Sequence, residues 1–73
     1  ILTTIRYALP EDGMVTLKIY DILGQEVKVI VNEFLQKGTY EVKVDSKGLA
    51  SGVYIYRLQA GEFISSKKMM LLK

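Results

Sequence analysis

The chain contains no cysteine, no histidine, only one proline and no long apolar run. Without cysteine it has neither a disulfide framework nor a thiolate metal site, so it must hold together by packing and strand pairing alone. Without histidine it lacks the usual general base near neutral pH and the commonest metal ligand, which weakens every enzymatic reading from the outset. No stretch approaches the roughly 18 apolar residues of a membrane-spanning helix, so no direct membrane span is expected. The opening segment, Ile1 to Pro10, lacks the basic and apolar regions of a signal peptide. Its abrupt start reads as an excerpt from a longer secreted protein.

What is present fits one small globular domain. Of the 73 residues, 49% are hydrophobic and 25% charged, enough for one core and too few for two. A domain of this size buries only about 60% of the surface its unfolded chain exposes, which leaves few core side chains free for chemistry. The net charge is +2 with lysine and arginine scattered along the chain, unlike the basic stripe of a nucleic-acid binder, so no nucleic-acid partner is expected.

Period-two alternation recurs along the chain and helical periodicity is nearly absent. Leu2 to Leu9 sets Ile5, Tyr7 and Leu9 on one face and Thr4, Arg6 and Ala8 on the other, as a half-buried strand does. Pro10-Glu11-Asp12-Gly13 reads as a turn into a hairpin partner at Met14 to Tyr20, with Val15, Leu17 and Ile19 inward. Asp21 to Gln25 breaks the pattern with an Asp that caps the local backbone and a Gly that relieves a bend. A third strand is expected from Glu26 to Val31, and Asn32 to Gly38 then reads as a polar connection that tucks Phe34 and Leu35 onto the core.

Thr39 to Asp45 forms the fourth strand with Tyr40, Val42 and Val44 inward, and Ser46 to Gly52 is a loop of small residues. Val53 to Ala60 and Phe63 to Lys73 complete the pattern, the last as one long strand or two short ones. The fold class is therefore all-β, an antiparallel sandwich of six or seven strands.

No residue stands out as catalytic, cofactor-binding or metal-binding. Ser51, in Gly48-Leu49-Ala50-Ser51-Gly52, is out of position for a nucleophile elbow and has no histidine to activate it, so the segment reads as a turn. The acidic residues fall at turns and outward strand positions, where solvated carboxylates belong, and no calcium-loop run is present. Of the five tyrosines, Tyr7, Tyr40 and one of Tyr54 and Tyr56 fall on core faces; Tyr20 alone is clearly outward, a weak basis for a carbohydrate-binding module. Two-sided apolarity in Val29-Ile30-Val31, Val53-Tyr54-Ile55 and Met69-Met70-Leu71-Leu72 implies a bulge, a central strand or an exposed docking patch. The last of these runs, flanked by Lys67, Lys68 and Lys73, is the best docking candidate.

Along nearly its whole length the sequence resembles the type A C-terminal sorting domains of the type IX (Por) secretion system. The resemblance is carried by Thr4-Ile5-Arg6-Tyr7-Ala8-Leu9-Pro10, by Leu17 to Val27, by Gly38-Thr39-Tyr40, by Leu49 to Leu58 and by Lys67 to Lys73. It implies an Ig-like β-sandwich lying at the C-terminus of a secreted cargo protein. It also implies that an outer-membrane translocon recognises the domain and that a sortase-like peptidase then removes it or exchanges it for a surface lipid anchor. The cargo would reach the cell surface or the medium via the periplasm. Carried over residue by residue, the resemblance marks Asp21 and Gly24 as a turn motif, Gly52 and Tyr54 as a loop-to-strand motif, and Lys67, Lys68, Met69, Met70, Leu71, Leu72 and Lys73 as the terminal signal. Leu49 and Tyr54 are also placed to form a tyrosine-corner-like bridge. The alternative reading is a structural or carbohydrate-binding module appended to a secreted enzyme.

Overall fold

The computed structural model of the chain describes residues 2–72. Six strands follow one another: β1 (Leu2–Leu9), β2 (Gly13–Tyr20), β3 (Glu26–Leu35), β4 (Gly38–Asp45), β5 (Gly52–Ala60) and β6 (Phe63–Leu71). β1 and β4 pair as one antiparallel sheet, and β3-β2-β5-β6 form a second, four-stranded one. The pairing matches strands B and E of an Ig-like sandwich stacked on C′, C, F and G. Among the described residues there are six strands, and the last segment is a single strand rather than two. Lys73, part of the expected terminal signal, lies outside the described residues.

The inward faces meet as the alternation requires. Ile5 and Leu9 from β1 and Val44 from β4 pack against Val15, Leu17 and Ile19 of β2, Tyr54 and Leu58 of β5 and Leu71 of β6. Tyr7 and Tyr40 lie directly opposite one another across β1 and β4 and stack with ring centroids 5.5 Å apart. Both Tyr54 and Tyr56 turn toward the core, since residues two apart on a strand share a face.

The hairpin expected between β1 and β2 does not form. β1 pairs with β4, from Leu2 opposite Asp45 to Leu9 opposite Gly38, and the connection after Leu9 carries the chain into the other sheet. Facing sheets let the apolar sides of β1 and β2 cover each other, whereas a hairpin would have left both needing cover. Asp12 fixes this crossing, its Oδ1 accepting a 2.7 Å hydrogen bond from the Lys37 backbone amide at the β3–β4 link.

The expected loop at Asn32 to Gly38 is also replaced, because β3 continues to Leu35 with Met14 opposite Phe34 and Gly13 opposite Leu35. Phe34 is 65% exposed instead of tucked, while Leu35 packs on the core. The two-sided run Val29-Ile30-Val31 is a bulge: the β2 register slips between Leu17 and Lys18, opposing Val31 and then Val29, so Ile30 is the extra residue. Ile30 and Val31 both reach the core and Val29 faces out.

Candidate functional site

Chain direction brings three separate segments to one end of the sandwich. β2 ends and β3 begins there, β5 starts there and β6 finishes there, so the Asp21 turn, the Gly52 corner and the end of β6 are neighbours.

The turn is built by one carboxylate. Asp21 Oδ1 accepts hydrogen bonds from the backbone amides of Leu23 and Gln25, both at 2.9 Å. The Asp21 amide donates to the Gln25 carbonyl at 2.9 Å and the Gly24 amide to the Asp21 carbonyl at 3.0 Å. Gly24 sits at φ +83°, a left-handed conformation costing a non-glycine residue roughly 1–2 kcal/mol. With its backbone satisfied from within, the turn projects Ile22 and Leu23 outward, 72% and 79% exposed.

The corner that opens β5 is equally constrained. The Tyr54 hydroxyl donates to the Ala50 carbonyl at 2.7 Å while its ring lies in the core, the tyrosine corner that an Ig-like sandwich places at the start of strand F. Leu49 packs on the core beside it, and the acceptor is the Ala50 backbone. The same device occurs at β4, where the Tyr40 hydroxyl donates to the Gln36 carbonyl at 2.6 Å. Each tyrosine follows a glycine by two residues, Gly38 at φ +149° and Gly52 at φ +154°, so Gly-x-Tyr is a locally repeated unit that turns the chain between sheets.

β6 joins this corner through its pairing: Gly52 faces Leu71, Val53 faces Met70 and Tyr54 faces Met69. The pleat divides the terminal run. Leu71 is fully buried and Met69 packs against the core, whereas Met70 and Leu72 point to solvent, 59% and 62% exposed. Lys67 shares the inward-facing parity of Leu71, and Lys68 lies on the outer face with Met70.

A shallow depression lined by Val53, Lys68, Met69 and Met70 adjoins a second lined by Asp21, Ile22, Ser51, Gly52, Val53 and Tyr54. Val53 belongs to both, and together they form a continuous apolar patch at the end of the outer face. Farther along that face the surface turns polar. Lys18 Nζ meets Glu26 Oε1 at 3.0 Å, and this hydrogen bond, then the carboxylate charge, hold the lysine above its usual range. Arg57 lies over the Tyr20 ring at 5.4 Å from its centroid, so the one clearly outward tyrosine is already paired.

Of the expected site residues, Asp21, Gly24, Gly52, Tyr54, Lys68, Met69, Met70 and Leu72 converge here. Leu71 anchors the core beneath them, and Lys67 belongs to the opposite face. Sequence reasoning did not single out Ile22 and Leu23. Their signal is two adjacent aliphatic residues inside a turn closed by Asp and Gly, where solvated side chains are the rule.

Of three comparisons with known proteins, one places the chain. No curated protein and no solved structure matches it. The model of the secretion-system C-terminal sorting domain matches residues 2–72. The chain therefore belongs to the C-terminal sorting domains of the type IX secretion system, the tails that mark a cargo protein for export.

Proposed function

We propose that the domain is a non-catalytic address read as a folded surface, and that the outer-membrane translocon docks on the patch formed by Ile22, Val53 and Met70. One observation carries this reading: three segments far apart in sequence are fixed at one end by internal hydrogen bonds and pairing, yet hold aliphatic side chains out to water. Turns rigidified this way lose little conformational freedom on binding, which favours contact with a partner. The unpaired edge of β6 beside Met70 offers backbone groups to the same partner for strand addition. Lys68 at the rim discourages indiscriminate edge pairing and steers the approach. Recognition of this end is followed by removal of the domain from its cargo by a sortase-like peptidase cutting upstream. The cargo passes through the periplasm to the cell surface or the medium.

The test fuses the chain behind a signal-peptide-bearing reporter in type IX-competent cells and follows the reporter by fractionation. The unaltered fusion should reach the surface or medium, and one carrying Ile22→Thr, Val53→Thr and Met70→Thr should stay in the periplasm while remaining folded. Deleting residues 67–73 should also block export, but it removes Leu71 from the core, so the point substitutions are the cleaner probe. Normal export of the triple variant would overturn the docking assignment.

A further inference from the structure

The outer face of the four-stranded sheet gathers its cations in one place, next to the patch of Ile22, Val53 and Met70. Lys18 of β2 lies directly opposite Arg57 of β5, and Arg57 lies opposite Ser66 of β6. Lys68 follows two residues along β6 on the same face, within reach of Arg57 across the strand diagonal. Like charges directly opposite one another on an antiparallel pair are unfavourable, so folding alone gives no reason for setting Lys18 against Arg57. Among the described residues the strands of this face carry one outward carboxylate, Glu26, and Lys18 takes it at 3.0 Å. Arg57 lies over the Tyr20 ring, which positions the guanidinium without neutralising it. Neither Arg57 nor Lys68 has an ion pair among the described residues.

We propose, resting on the docking assignment above, that the translocon component seated on this patch presents an acidic side chain at its border, and that Arg57 and Lys68 hold it. The apolar and charged contacts adjoin: Val53, Ile55 and Arg57 alternate along one face of β5, and Met70 and Lys68 do the same on β6. A partner covering the aliphatic side chains thus meets two unpaired cations on the same two strands. Charge decides the occupant. Anionic lipid surfaces are gathered by clusters of about four to eight cations, whereas here two are free and Glu26 stands beside them, which suits a single carboxylate. A second copy of the chain would bring its own Arg57 and Lys68 against these, a repulsive match. A segment ahead of Leu2 enters the fold through β1, which belongs to the other sheet.

The probe is a carbodiimide, which joins a lysine amine to a carboxylate held against it, applied to type IX-competent cells exporting the reporter fusion. Expected by mass spectrometry is an amide between Lys68 and an Asp or Glu of an outer-membrane translocon component, lost with Ile22→Thr, Val53→Thr and Met70→Thr together. Arg57→Gln combined with Lys68→Gln should slow export about tenfold, with urea unfolding unchanged. Lys43→Gln, which removes an exposed lysine from the other sheet, should export normally. Normal export of the Arg57 and Lys68 double variant, with the threonine triple variant still held in the periplasm, would overturn the carboxylate and leave the docking assignment standing. Normal export of both would overturn the docking assignment itself. Lys68 joined to nothing, or only to its own cargo or a second copy, would overturn the occupant. So would binding of the 73-residue chain to phosphatidylglycerol vesicles that the double variant loses, because it would give these cations to a lipid.

Discussion

Val53 and Met70 lie directly opposite each other across β5 and β6, and both side chains face solvent although their neighbours Tyr54 and Leu71 are buried. The strand ends are therefore held from below and displayed above. Replacing Val53 and Met70 with threonine keeps the strand preference and removes apolar surface, so stability should move by no more than about 0.5 kcal/mol. Chemical denaturation of the double variant checks this, and a larger loss would mean that the pair is packed.

Leu71→Ala and Leu72→Ala should separate core from surface. The fully buried Leu71 should cost about 2–5 kcal/mol, a large share of a small domain's stability. The exposed Leu72 should cost almost nothing. Urea unfolding of both variants measures the contrast.

The two Gly-x-Tyr corners should contribute separately. Tyr54→Phe and Tyr40→Phe each remove one hydroxyl-to-carbonyl bond and should each destabilise by about 1 kcal/mol. They serve different links in different sheets, so the double variant should show close to the sum. Thermal melts resolve this, since 1 kcal/mol shifts the midpoint of a domain this size by roughly 4–8 °C.

Alkaline pH should unfold the chain earlier than acid logic alone suggests. Burial, then the neighbouring Tyr40 and Glu33, hold the Tyr7 phenol above the usual tyrosine range. The folded state thus keeps a proton that the unfolded state releases, so the contribution is complete below about pH 10 and lost as pH rises toward the folded value. Lys18, raised chiefly by its hydrogen bond to Glu26, acts in the same direction. Stability measured from pH 8 to pH 12 should fall above about pH 10, and Tyr7→Phe should flatten that fall.

How much of this was legible in the sequence depended on the kind of signal. Alternation assigns faces, so Val15, Leu17 and Ile19 were readable as core, as were Tyr40, Val42 and Val44 as inward. It does not assign partners. The few residues after Leu9 serve a hairpin or a crossing between sheets equally well, and only the pairing of β1 with the distant β4 decides for the crossing. Phe34 reads as a tucked loop residue because its polar neighbours mimic a loop, whereas its pairing with Met14 continues the strand past them. At the site, Asp21, Gly24 and the Tyr54 corner declared themselves through turn chemistry, while Ile22 and Leu23 required a structure to show that nothing covers them.

The most direct test of the central claim is the location of a reporter carrying this chain, compared by fractionation in type IX-competent and translocon-deficient cells. The account expects surface or medium location in the first and periplasmic retention in the second. Periplasmic retention in both, with the fusion intact and folded, would contradict it and leave the domain as a structural module of its parent protein.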